Sequence, residues 1–190
     1  MSNPRNALKK RTGLWLTLAV AILAAVTDQA SKWAILEHVM NPPRLIAVTP
    51  FFNLTLGFNS GVSFGMLSSN EALGRWLLVG LTLVIVAGLT VWAWRADSRI
   101  EAVAIGGIIG GAIGNVIDQV RQGAVTDFLD FHSLGWHWPA FNLADAVIFC
   151  SVVTLLLHAW TSDRAASRKG CAPSSDAPTH ASIKDDRSQA

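Results

Sequence analysis

The sequence predicts an all-α membrane protein: four transmembrane helices carrying a small extracytoplasmic β-element. Three observations lead there. The chain is 51% hydrophobic and only 15% charged, with mean hydropathy +0.38, too apolar for a soluble domain of this size. Four apolar segments approach the roughly 20 residues that a helix needs to cross a bilayer. Between the first two of them, Phe51-Phe52-Asn53-Leu54-Thr55-Leu56-Gly57-Phe58 alternates in part as a strand does.

The first span is expected at about residues 13–36. Lys9, Lys10 and Arg11 precede it in the manner of a secretory signal. Thr27-Asp28-Gln29-Ala30-Ser31-Lys32, however, runs on into Trp33-Ala34-Ile35-Leu36 with no small-x-small cleavage site, so an uncleaved span is expected. Asn59-Ser60-Gly61 then signals a turn after the strand-like stretch, and Val62-Ser63-Phe64 resumes its pattern. The second span, 76–94, is free of charge from Trp76 to Trp94 and is bracketed by Arg75 and Arg95, with tryptophans where interfacial belts place them. The third and fourth spans are expected at 102–119 and 143–161. Residues 1–161 thus form one membrane domain. Residues 162–190, with Ala-Pro-Ser-Ser-Asp-Ala-Pro and no apolar period, are expected to be a disordered cytoplasmic tail.

The net charge of +2 does not point to nucleic acid, because the basic residues flank apolar runs instead of forming a patch. They set orientation. Arg5, Lys9, Lys10, Arg11, Arg95, Arg99, Arg164, Arg168 and Lys169 fall on one side, and only Lys32, Arg44, Arg75 and Arg121 on the other. The positive-inside rule puts both termini in the cytoplasm and segments 37–75 and 120–142 outside. Asp28, Asp118, Asp127, Asp130 and Asp145 then all gather at the outer side, the last loop holding Asp127 and Asp130. Cys150 and Cys171 have no second ligand at metal spacing and imply no disulfide framework.

Ionisable groups at a membrane edge are costly, so each is a functional candidate or half of a neutralising pair. Asp28 and Lys32, at i and i+4, read as an intrahelical ion pair. Gly107/Gly111 and Gly110/Gly114 let another helix approach closely. Asn115 and Asp118, three apart on one face, suit either helix-to-helix hydrogen bonding or substrate binding. Asp127 and Asp145 flank the last outer loop; they read either as two acids a short loop holds or as a pair of which one stays protonated, the requirement for acid–base hydrolysis. His132 and His137 lack metal-ligand spacing and read as surface residues beside Trp136 and Trp138. A proton-coupled transporter using the same carboxylates as a relay is the alternative function, although such a relay needs acids spread across the membrane.

Asp28-Gln29-Ala30-Ser31-Lys32, Asn59-Ser60-Gly61-Val62-Ser63-Phe64-Gly65, Gly110-Gly111-Ala112-Ile113-Gly114-Asn115-Val116-Ile117-Asp118, Val125-Thr126-Asp127-Phe128 and Phe141-Asn142-Leu143-Ala144-Asp145 together resemble the ordered motifs of lipoprotein signal peptidases. The resemblance implies an aspartyl endopeptidase of the bacterial inner membrane, needing no cofactor, with its site near the periplasmic surface. It would cleave prolipoproteins just before the diacylglyceryl-modified cysteine, in contact with membrane lipids, and be open to globomycin-type inhibitors. It implies Asp127 and Asp145 as the catalytic dyad, Asn59, Asn115, Asp118 and Asn142 as groups that shape the site, and Asp28 as a supporting polar residue. One position departs: Gln119 stands where the family commonly has arginine, and Arg121, two residues on, does not share its helix face.

Overall fold

In the computed structural model of the chain, residues 4–61, 71–96 and 98–170 are described. Four long helices form: α1 (Pro4–Ala34), α2 (Glu71–Ala93), α3 (Arg99–Gln122) and α4 (Leu143–Gly170). A π-helical turn, Ile35–Val39, extends α1. The stretches Thr12–Val39, Ala72–Ala93, Arg99–Gln122 and Leu143–Ser162 are each long and apolar enough to cross a membrane. They match the four expected spans, with ends set by local signals. The Ser98 hydroxyl accepts the Glu101 N–H at 3.0 Å and starts α3; Gly123, at φ 82°, ends it in the left-handed region.

The expectation of a disordered stretch from residue 162 is not met over residues 162–170. Residues 162–170 continue α4 as helix, and the Arg164 guanidinium lies 3.8 Å from the centre of the Trp160 ring one turn back, a contact that helical spacing brings about. The rest of the expected tail lies outside the described residues, as do Val62, Ser63 and Phe64.

Helix α3 packs against α1, α2 and α4, because its glycines remove side chains from two of its faces. Gly106 and Gly110 lie against Thr17, Val20, Ala21 and Ala24 of α1; Gly107 and Gly111 lie against Ala144, Val147, Ile148 and Ser151 of α4. The two expected glycine pairs therefore serve different neighbours. Outward-facing Leu77, Leu81, Val84, Phe149 and Leu156 stay exposed, the apolar surface a bilayer would cover.

The β-element is a four-stranded antiparallel sheet in the order β1 (Ile46–Thr49), β2 (Phe52–Asn59), β3 (Val125–Ser133) and β4 (Trp136–His137). The segment carrying Asp127 and Asp130, expected as a loop, is strand β3. Its partner is distant in sequence: Gly57 pairs with Asp127 and Asn53 with Asp130. Acidic residues mask the alternation of β3, and only pairing with β2 makes it a strand. Phe128 from β3 is buried against Ile35 and Met40, so the sheet is seated on the end of α1.

A methyl group at Gly110 would sit 2.7 Å from Ala24 Cβ and against the Ala21 carbonyl, whereas one at Gly80 meets nothing within 4 Å. Gly110→Ala should therefore cost about 1–3 kcal/mol and lower the thermal unfolding midpoint in detergent, with Gly80→Ala neutral or stabilising. Equal midpoints for the two variants would show that the α1–α3 contact yields freely.

Candidate active site

Helix α4 starts in a way that builds half the site. Asn142, fully buried, caps the helix: its Oδ1 accepts the Asp145 N–H at 3.1 Å, and its own N–H donates to Asp145 Oδ2 at 3.3 Å. This reciprocal pair resembles a capping box with aspartate in place of glutamate, and it holds the Asp145 carboxylate in the first turn. With its oxygen committed to the cap, the Asn142 amide nitrogen must face the other way. It donates to Asp127 Oδ1 at 2.7 Å. One asparagine thus touches both carboxylates.

Asn115 of α3 completes the environment of Asp145. Its Nδ2 donates to Asp145 Oδ1 at 2.8 Å, while its Oδ1 accepts from Lys32 Nζ at 3.0 Å. Both Asp145 oxygens therefore accept hydrogen bonds. Asp127, on β3, is in a different position. Burial pushes its carboxyl above the usual range and the Asp145 charge adds to this, outweighing the opposing donors Asn142 and Asn59 and the Lys32 charge.

Behind the pair lies a buried ionic cluster. The expected Asp28–Lys32 ion pair forms at 2.8 Å, and Lys32 reaches Asp118 as well, at 2.9 Å. Each carboxylate is also tied to another element. Asp28 Oδ1 accepts the Ala144 N–H at 2.9 Å, at the positive end of α4, and Asp118 Oδ2 accepts the Thr126 N–H at 3.1 Å, on β3. Gln29 Nε2 donates to Asp118 Oδ1 at 2.8 Å. Asp118 is thus a structural tie one layer behind the carboxylates, while Asn115 contacts one of them directly.

The seven expected site residues converge on one end of the bundle, where α1 and α3 end and α4 begins. Asn59, at the end of β2, accepts the Gly61 N–H through Oδ1 at 2.9 Å and receives Gln119 Nε2 on its backbone carbonyl at 3.5 Å. Asp130, three residues along β3 from Asp127, faces the opposite side of the strand. There it meets Asn53 and, at 2.9 Å, the ring of His137, and the hydrogen bond from His137 is the main reason its carboxyl is held below the usual range. His132 stacks on His137 with 5.1 Å between ring centres. Sequence reasoning missed the parts played by Lys32, Gln29 and Thr126. All three lie inside quoted motifs, but their partners are more than 80 positions away or in another element.

A family model described as Signal peptidase (SPase) II matches residues 20–161. The chain belongs to the signal peptidase II family. The lipoprotein signal peptidase of Beijerinckia indica is 44% identical over 146 residues, 76% of this chain and 87% of the relative. That of Methylorubrum extorquens is 47% identical over 150 residues, 77% and 84% of the two chains. That of Vibrio cholerae is 37% identical over 169 residues, 87% and 98%. A solved bacterial membrane enzyme structure, determined by the in meso method at 1.9 Å resolution, superposes with a TM-score of 0.65 at 28% identity, covering 75% of this chain and 90% of that one. Signal peptidase II membership makes the chain a multi-pass membrane protease that removes signal peptides from prolipoproteins, and gives the transporter alternative no support. All the site residues fall inside the matched range.

Removing the Lys32 ammonium leaves two buried carboxylates without their cation. Lys32→Met should cost about 3–5 kcal/mol, read as a lower unfolding midpoint in detergent. A midpoint within error of the parent protein would show that the cluster contributes nothing net.

Proposed function

We propose that the chain hydrolyses prolipoproteins just before the diacylglyceryl-modified cysteine, with Asp127 and Asp145 as its catalytic dyad. The observation that carries this reading is Asn142, whose cap to Asp145 and 2.7 Å amide bond to Asp127 hold two carboxylates to one small group at the end of the bundle.

The two environments divide the labour. Asp145, accepting hydrogen bonds on both oxygens, is the base; Asp127, which burial favours in the protonated form, is the acid. Water between them gives a proton to Asp145 as its oxygen attacks the scissile carbonyl, and Asp127 protonates the carbonyl oxygen. In the tetrahedral diol that results, Asp145 passes its proton to the departing amine. Asp127 takes one back from a hydroxyl as the C–N bond breaks, restoring the starting state. Asn115 and Asn142 orient the two carboxylates, Asn59 lies against Asp127, and Asp28 and Asp118 hold the helices that carry them.

In this reading the termini are cytoplasmic and the sheet and dyad lie at the periplasmic surface of the inner membrane. The signal peptide and its lipid chains enter sideways from the bilayer. Phe51, in the turn between β1 and β2, and Phe58 on β2 are exposed, and Phe51 joins Phe131, Trp136, Trp138 and Phe141 around a cavity of about 430 Å³, apolar surface suited to substrate lipid or a globomycin-type inhibitor.

In a background without Cys150 and Cys171, Ser133→Cys should react with an impermeant thiol reagent added from the periplasmic side. Arg95→Cys should react only after the membrane is opened, and the reverse pattern would overturn the orientation.

Asp127→Asn and Asp145→Asn should each abolish nearly all turnover of a diacylated prolipoprotein while still inserting and binding it, and the double variant should be hardly worse, because the two act as one unit. In the parent enzyme, kcat/KM should decline on the alkaline side as Asp127 gives up the proton it must donate. Substantial cleavage by either single variant would refute the mechanism.

A further inference from the structure

Gly57 sits inside strand β2, where neither the backbone nor the packing calls for a glycine. A strand interior disfavours this residue, which loses much backbone entropy on folding and packs nothing against its neighbours. The register of β2 against β3 does slip between Leu54 and Gly57, and glycine often serves such a slip by adopting a left-handed backbone. Gly57 does not: among the described residues, the glycines at positive φ are Gly61, Gly123 and Gly135. Crowding gives no reason either. Among the described residues, a Cβ at Gly57 would meet only the Asp127 carbonyl oxygen, at 3.7 Å, an ordinary van der Waals distance. The residue is half-buried, so space is left beside it.

That space opens on the face of the sheet that carries the chemistry. Gly57 stands directly across from Asp127, and Asn59 directly across from Val125; opposed residues of antiparallel strands point to the same side of the sheet. Val125 and Asn115 line one cavity of about 250 Å³ between α2 and α4, and Asn115 holds Asp145. A side chain at position 57 would therefore stand beside Asp127 on the dyad side of the sheet. Glycine kept inside a strand marks the close approach of a ligand or a second backbone. A lipid chain would gain by packing against a larger apolar residue, and glycine offers it almost no surface. A peptide whose scissile carbonyl must come within reach of both carboxylates needs the room.

We propose that Gly57 is a specificity-determining residue: the substrate chain crosses its bare face beside Asp127, and the missing side chain sets how large a substrate side chain is accepted next to the scissile bond. This rests on the proteolytic reading above.

The test sets Gly57→Ala and Gly57→Val against a series of diacylglyceryl-cysteine peptides. The series carries glycine, alanine or leucine in turn at each of the three positions before the modified cysteine and the two after it. Valine suits a strand better than glycine does, so both variants should fold, with unfolding midpoints in detergent at or above that of the parent enzyme. Relative to the parent on the same peptide, Gly57→Val should lose kcat/KM in step with side-chain size at one position, by at least about tenfold for leucine there, chiefly through KM. Gly57→Ala should fall between the two enzymes. At the other positions the loss should not depend on size. A loss of the same factor for every peptide, or no loss for any, would overturn the proposal. A parent enzyme that cleaves none of the peptides would instead overturn the proteolytic reading.

Discussion

The ammonium of Lys32 is the point on which the rest of the site hangs. It is 3% exposed, within 2.9 Å of two carboxylates, and its third bond goes to Asn115. A cation buried so completely is tolerable only when its hydrogen bonds are filled. Here that requirement is met by acids from two helices, and each acid reaches a further element. Asp28 takes a backbone N–H of α4 and Asp118 takes one of β3, so four separate pieces of chain are drawn to one charge.

From that charge a polarity runs outward. With Lys32 on its oxygen, Asn115 must turn its nitrogen to Asp145; with the α4 cap on its oxygen, Asn142 must turn its nitrogen to Asp127. Amides are ambiguous in isolation, and their orientation is decided here by partners that accept no alternative. Two chemically identical side chains acquire different surroundings as a result. Asp145 sits among donors at a helix start, and Asp127 sits buried on a strand with its proton favoured.

The glycines of α3 make this possible geometrically. Gly114 has no room for a side chain because a Cβ there would lie 2.5 Å from Asp28 Oδ2; the helix backbone itself is the wall of the ionic cluster. Close approach of α1 and α4 to the two glycine faces brings Asp28, Asn115 and Asp145 within reach of one another. In a bilayer, where apolar side chains gain nothing by leaving lipid, such contact and the buried hydrogen bonds are what hold helices together.

The four spans, their apolar character and the acids at their ends were legible in the sequence, because hydropathy over some twenty residues is a local property and a bilayer rewards little else. So was the Asp28–Lys32 pair, which one helical turn dictates. The ordered motifs named the family through residue identity alone. Strand β3 was not legible: its alternation is broken by acids, and its hydrogen bonds come from β2, some seventy positions earlier, so only the closed bundle decides that Asp127 and Asp130 lie on opposite faces of a strand. The tertiary structure alone also decided that Lys32 serves Asp118 and Asn115 and that one asparagine joins both carboxylates. Those are contacts between distant segments, whose directions depend on how helices pack and not on any local periodicity.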